Sequence, residues 1–336
     1  MLHTVLCDLL DIEVPVLNAP MGGGVAGGRL AAAVSAAGGF GLIGGQSAGG
    51  VPWLREQLAV ARAHGDRPVG VGFISHLPPT AALVDAALEA GVRVLCHSFV
   101  DPAPWVEPAR RAGAIVLAQV QSVALARRAV EAGVDVIIAQ GTEAGGHTGG
   151  VGLLALLPRV LDVAGGPDGI PVVAAGAIAD GRTMAAALLL GAAGVLVGTR
   201  FVATEECDGR PSVRRRLAAA DADADATVLT EVFDLAAGLP WPEGVRGRSL
   251  RSPFTERWHG REDELRAWGR EERARYRAAA ETDDDLADRY AGQGVGLIDA
   301  VEPAGVVLRR LAADAEAVLR NRPAAVLADP DRRRSG

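Results

Sequence analysis

The chain has few aromatic residues, only 4% of its 336 positions. Ala, Val, Leu and Gly carry the apolar load instead, which suits helices packed tightly on strands more than a β-sandwich. Cysteine is nearly as scarce. Cys7, Cys96 and Cys207 lie far apart with no CxxC pair, which argues against a zinc site and a disulfide framework and leads us to expect a reducing, cytoplasmic setting. Positive charge is short as well. The formal net charge is −7, and the only basic runs are RPSVRRR at 210–216 and RRR at 332–334, so nucleic-acid binding is not expected. Apolar runs such as VLCHSFV are too short to span a bilayer. The N-terminus MLHTVLCDLLDIEVPV lacks a basic segment followed by a long apolar one, so neither a membrane span nor a signal peptide is expected. There is no GxSxG elbow, and the six histidines are scattered. Glu143 and His147 stand four apart, but Gly145 and Gly146 between them speak against a helical HExxH site, so no metal is expected.

What the chain does have is apolar mass, 49% of residues, and a repeated pattern. An Ala-rich helical stretch ends in Gly, and a short β-branched run follows, as in EAGVRVLCHSF (89–99), RAGAIVLAQV (111–120) and EAGVDVIIAQG (131–141). Glycine serves as the residue that ends a helix in the left-handed region. The following run is apolar on both faces, as in a parallel strand covered by helices. Eight such runs occur: 14–20, 40–45, 68–74, 92–99, 114–120, 134–141, 170–178 and 194–201. Helices are expected between them, including 29–37, 51–63, 79–90, 121–132, 152–164 and 180–190. The count predicts an α/β fold, a (β/α)8 TIM barrel with a helical C-terminal extension. A doubly wound open sheet is the alternative.

Past residue 204 the pattern stops. DADADA (221–226) is expected as a surface turn or linker, and LPWPEGVRGRSLRSPF (239–254) as irregular. Residues 261–282 predict a charged helix with acid–base pairs at i,i+3 and i,i+4. A last helix is expected over 302–320. This gives a barrel from 1–205 plus part of the C-terminus, and a mainly helical extension over 206–336 that packs on it and lends the site a loop. The extension also offers a surface for a homodimer.

In such a barrel chemistry sits at the C-terminal ends of the strands. Strand six ends in Gln140 and runs into QGTEAGGHTGG, a glycine-dense stretch around His147. An imidazole titrates near neutrality and is the usual general base. Glycines on either side let it approach a ligand, so His147 is the candidate catalytic residue. His76 and His97 share that end of the barrel without the glycine setting. Strands seven and eight end in Gly176 and in Gly198-Thr199, with Asp180 as an expected helix cap, a pairing that suits phosphate. MGGGVAGG contains G-x-G-x-x-G (Gly22, Gly24, Gly27), but the next strand ends Gly44-Gly45-Gln46-Ser47 without the carboxylate a dinucleotide site wants. Those glycines are read instead as passing close to a flat ligand.

These residues resemble a known family. AQGTEAGGHTGG is similar to the signature of the nitronate monooxygenases, formerly 2-nitropropane dioxygenases. PVLNAPMGG, PVVAAGAIADGRTMAAALLLGAAGVLVGTRFVATEE and YAGQGVGLI match in order, so the likeness covers nearly the whole chain. FMN-dependent enoyl-ACP reductases share the barrel and a similar Gly-Gly-His loop. The resemblance implies an FMN-dependent barrel. Its implied activity is oxidation of alkyl nitronates or nitroalkanes with O2, giving carbonyl compounds and nitrite. It implies that Ala19, Pro20 and Met21 line the flavin, that Gln140, Gly145 and Gly146 meet it, and that Gly176 and Ala177 take its phosphate with Leu196, Val197, Gly198 and Thr199 opposite. Gln293 closes over the site, and His147 acts as base or orients the nitronate. An NAD(P)H-dependent FMN reductase acting on an enoyl thioester or quinone is the alternative, and a non-catalytic flavin-binding barrel a second one. Two positions depart from the pattern. Ala177 stands where many relatives have Gly, and is strained if its φ must be positive. Gly72 stands where many have a flavin-contacting Asn.

Overall fold

The computed structural model describes residues 2–220 and 226–327. Along the chain run strands β1 (Val16–Asn18), β2 (Gly41–Gly44), β3 (Val69–Ile74), β4 (Val94–Ser98), β5 (Ile115–Val120), β6 (Val136–Gln140), β7 (Gly146–Thr148), β8 (Val172–Ala175), β9 (Gly194–Val197), β10 (Thr227–Thr230) and β11 (Arg246–Leu250). Eight of them form one parallel sheet in the order β1-β9-β8-β6-β5-β4-β3-β2. A bridge between Leu17 and Phe40 brings its edges together, so the barrel closes and the open-sheet alternative falls. β8 and β9 are therefore barrel strands seven and eight. The eighth run is shorter than expected, because Thr199–Val202 turns into a helix directly after β9.

Closure at the β1–β2 seam uses a side chain. Asn18 is fully buried. Its Nδ2 donates to the Leu42 carbonyl at 2.8 Å, and its Oδ1 accepts from the Leu42 N–H at 2.9 Å. One amide thus replaces a rung of backbone ladder where the two short strands diverge. Inside the barrel Leu17, Phe40, Leu117, Ile138 and Val173 pack together, and helix Val5–Leu10 joins this cluster with Leu6, Cys7 and Leu10. A larger cluster lies between strands and helices.

The chain beyond β9 differs from the expectation. The helix that completes the outer ring is Ala304–Val326, which packs against helices Gly181–Leu189 and Gly28–Ala36. The hundred or so residues before it form an excursion between the eighth strand and its helix. That excursion is not only helical. β10 and β11 pair antiparallel, and β11 pairs with β7, so the stretch read as irregular contains a strand. The charged helix expected over 261–282 is two helices, Glu262–Arg266 and Arg270–Ala280. They part at Trp268-Gly269, where the chain bends around a small core of Phe233, Phe254, Trp258, Leu265 and Tyr276. DADADA, save Ala226, and the RRR tail lie outside the described residues. Among the described residues no helix is long and apolar enough to cross a membrane.

Candidate active site

A cavity of about 920 Å³ opens at the C-terminal ends of the barrel strands, roofed by the excursion. β7 carries His147 in the middle of a three-residue strand, opposite Gly247 of β11. The histidine therefore sits on a sheet rather than on a free loop. Its backbone is held from below: Gln140 Nε2 donates to the His147 carbonyl at 3.1 Å, and Gln121 Nε2 donates to Gln140 Oε1 at 2.9 Å. A Cβ at position 247 would come within 3.0 Å of Tyr290 Cε1 and 3.6 Å of His147 Nε2. Glycine there leaves room for both rings.

The imidazole has a partner that the sequence did not suggest. Asp234, from helix Val232–Ala237, places Oδ1 and Oδ2 at 3.0 and 2.9 Å from His147 Nε2. Both side chains are buried, 7% and 9% exposed. In the neutral imidazole a carboxylate at Nε2 fixes the proton there, and Nδ1 keeps a free lone pair. Among the described residues Nδ1 has no hydrogen-bond partner. Trp241 stacks on the ring, centroids 3.4 Å apart and planes within 10°, and Tyr290 lies 5.2 Å away. Burial, and then the carboxylates of Asp288 and Asp234, push the Tyr290 hydroxyl well above its ordinary range, so it stays a phenol. Burial also raises Asp288, with Asp234 adding to the rise. Asp288 lines the cavity and keeps exposed surface, so the loss of solvation there is partial.

Most residues singled out in the sequence meet at this cavity. Ala19, Pro20 and Met21 line it from the end of β1, Gln140 from β6, Gly145 and Gly146 before His147, Gly176 and Ala177 after β8, and Leu196, Gly198 and Thr199 at the end of β9. Two do not. Val197 is buried in the layer between strands and helices, because its place in the strand alternation turns it outward. Gln293 is exposed and away from the cavity, while its neighbours Gly292 and Gly294 line it. The glycines also divide their work. A Cβ on Gly145 would sit 2.6 Å from the Gly292 nitrogen, so that gap is filled by the returning chain, whereas Gly146 faces open space. Glu143 turns away and accepts from Leu153 N at 2.9 and 3.0 Å, capping the next helix. Thr199 Oγ1 accepts from Gly292 N at 2.9 Å.

Both departures have a structural account. Ala177 does take positive φ, 52°. With Phe99 (φ 73°) it is one of two cavity-lining non-glycine residues in that region, a strain of about 1–3 kcal/mol each. A Cβ at Gly72 would lie 2.2 Å from Pro20 Cγ, so Pro20 occupies the space a larger residue would need. Of the other histidines, His97 is 1% exposed with Nδ1 at 2.9 Å from Ser75 Oγ. His76 packs edge-on against Trp241 at 4.8 Å, with neither ring nitrogen hydrogen-bonded among the described residues. Neither lines the cavity. Asp234, Trp241, Tyr290 and Asp288 went unnoticed in the sequence. Asp234 left one signal, a lone carboxylate inside the apolar helical run VFDLAA.

A (β/α)8 barrel with an acid–base pair at its C-terminal mouth is the architecture of an enzyme. Comparison gives the family. Residues 3–88 and 77–313 match the family model described as nitronate monooxygenase, and the chain belongs to that family of oxidoreductases. It is 37% identical over 260 residues, 76% of this chain and 68% of the relative, to the (3aS,4S,5R,7aS)-5-hydroxy-7a-methyl-1-oxo-octahydro-1H-indene-4-carboxyl-CoA dehydrogenase of Mycobacterium tuberculosis. It is 31% identical to the nitronate monooxygenase of Neurospora crassa, covering 90% of this chain and 89% of that one. The chain spans 64% and 46% of the length of two further curated relatives. Among solved structures, FabK from Thermotoga maritima superposes with a TM-score of 0.85 at 32% identity, covering 97% of this chain and all of that one.

Proposed function

We propose that the protein oxidises alkyl nitronates, or the nitroalkanes they come from, with FMN as cofactor and O2 as oxidant, releasing a carbonyl compound and nitrite. The observation that carries this reading is the His147–Asp234 pair, with Nδ1 left free at the barrel mouth. The family and the Neurospora relative support it. The cavity suits a flavin. Gly176 (φ 122°) and Ala177 (φ 52°) open the backbone after β8, and a Cβ on Gly198 would meet only Ala19, at 3.5 Å. Backbone N–H groups at these positions would hold the phosphate, and Ala19, Pro20, Met21 and Gln140 the ring. Bound there, FMN would be the electron acceptor for the oxidation, with O2 as the final oxidant.

The chain's own part is proton handling and placement. Nδ1 of His147 takes the proton from the carbon beside the nitro group, and Asp234 steadies the imidazolium that forms. Trp241 shields one face of the ring from water. A substrate that arrives already ionised needs no base, so His147 then only orients it. A second reading is a thioester redox reaction, with His147 acting at the carbon next to the carbonyl. The arginines of the cavity wall and the mycobacterial CoA dehydrogenase favour it.

The test uses FMN-reconstituted protein mixed anaerobically with ethyl nitronate and, separately, with NADPH. Bleaching by nitronate, with nitrite formed on admitting air, is expected. His147→Ala should cut nitroethane turnover by about 10²–10⁴-fold, and that of preformed nitronate much less. A protein that takes up no FMN would sink both readings; bleaching by NADPH alone would establish the second.

A further inference from the structure

Arg289 lines the same cavity, one residue before Tyr290. Its side chain is 2% exposed, yet Nε, Nη1 and Nη2 make no hydrogen bond among the described residues. Nη2 lies 3.2 Å from Asp284 Oδ1, without the geometry of a hydrogen bond. Asp284 is not Arg289's alone, because Arg210 Nη1 donates to the same oxygen at 3.0 Å. Two guanidinium groups therefore share one carboxylate. Other charged groups on this wall are spoken for or distant in role. Asp288 lies beside Tyr290, and Asp208 pairs with Arg29 at 2.8 Å. Arg277 donates to the Ala237 carbonyl at 2.6 Å and adds positive charge to the wall, against Glu281.

A buried guanidinium whose one ion-pair partner is shared, and whose other donors are unfilled, is costly and is rarely left so. Main-chain bonds hold Arg289 in place: its N–H donates to Ser249 Oγ at 3.0 Å, and its carbonyl accepts from Ser249 Oγ at 2.8 Å and Leu250 N at 2.8 Å. The backbone beneath the fork is thus fixed, the residue lines the cavity, and an anion there is the partner its remaining donors lack.

We infer that Arg289 is an anion subsite: it binds a carboxylate or phosphate carried by the substrate, remote from the carbon that faces His147. This rests on reading His147 as the reacting end. A planar fork accepts two oxygens of such a group side by side. The charge reaches the site on one of two carriers, a carboxylate-tailed small molecule or the phosphates of a coenzyme A thioester.

The experiment compares wild-type holoenzyme with Arg289→Gln and Arg289→Lys. Substrates are the nitronates of 1-nitropentane and 4-nitrobutanoate, of similar length, one neutral and one anionic at the tail. Free coenzyme A is added as a competitor. Arg289→Gln should raise KM for 4-nitrobutanoate by about 10-fold or more, the loss of a charged hydrogen-bonded contact. KM for 1-nitropentane, kcat and FMN content should stay within about twofold of wild type, and Arg289→Lys should fall between. Inhibition by coenzyme A that vanishes in Arg289→Gln, without discrimination between the nitronates, would assign the subsite to phosphate. Equal effects on both nitronates with no response to coenzyme A would overturn the proposal, and so would loss of FMN from the two variants. If wild type turns over neither nitronate, the functional reading has failed, and calorimetric titration of holoenzyme with 4-nitrobutanoate and coenzyme A decides the subsite alone. Binding lost in Arg289→Gln would support it, and binding unchanged would end it.

Discussion

At the scale of single residues, the proposed proton transfer depends on which nitrogen of a neutral His147 holds the proton. Asp234 accepts from Nε2, so Nδ1 is the free base. Asparagine in its place keeps the shape and loses the charge. Its amide can also donate to Nε2, which moves the imidazole proton to Nδ1 and blocks the base. Asp234→Asn should therefore lower kcat/KM for nitroethane by about 10²–10⁴-fold. Preformed ethyl nitronate should be oxidised at a rate much closer to wild type. Stopped-flow reduction with both substrates measures this; equal losses on the two would mean that Asp234 does not act through proton transfer. Histidine was legible at this scale because glycines crowd around it at the end of a strand. Its partner was not, since 87 residues separate the pair and one acid in a helix carries no spacing signal.

At the scale of elements, the eight barrel strands could be read because each is a β-branched run between a helix-ending glycine and the next helix. β7 (GHT) and β11 (RGRSL) could not, since Gly, His and Arg carry little strand preference, and the short run of β10 (TVLT) stands without a helix-ending glycine before it. What holds them as strands is pairing across the fold, which no local period records. The seam between β1 and β2 was hidden for a similar reason: Asn18 looks like a strand end, and its bonds to Leu42 span 24 positions. Asn18→Leu fills a similar volume and leaves the buried Leu42 N–H and C=O without partners. Each orphaned group costs about 1–3 kcal/mol, so urea denaturation should show a loss of about 2–6 kcal/mol, twice that range for one group. A change below about 0.5 kcal/mol, the scatter of a surface substitution, would mean that the seam is closed by packing alone.

At the scale of the whole molecule, the barrel's order of elements was plain in the sequence, but its last helix stands far from its strand. Between β9 and Ala304–Val326 the chain leaves the barrel, roofs the cavity and supplies Asp234, Trp241, Arg289 and Tyr290. Fold and roof must therefore hold over the same pH range for the site to exist. His97 bears on that range. It lies between Phe73 and Trp105 with Nε2 buried and, among the described residues, unpartnered, and burial brings its pKa down to about 3. An unfolded chain takes up this proton near pH 6.5, so between about 6.5 and 3 the unfolded state binds more protons. The contribution is whole above pH 6.5 and is lost as the pH falls, by at most about 1.4 kcal/mol per unit. His97→Phe keeps a ring in the stack, and Ser75 Oγ still has the Phe73 carbonyl at 3.3 Å. Carboxylates such as Asp284, held at about 2 chiefly by Ser212, titrate alike in both proteins and cancel in the difference. Urea unfolding of the two from pH 7 to pH 4.5 should then diverge steadily, the variant losing less stability as acid is added; parallel curves would show that His97 is not the group that sets the acid limit.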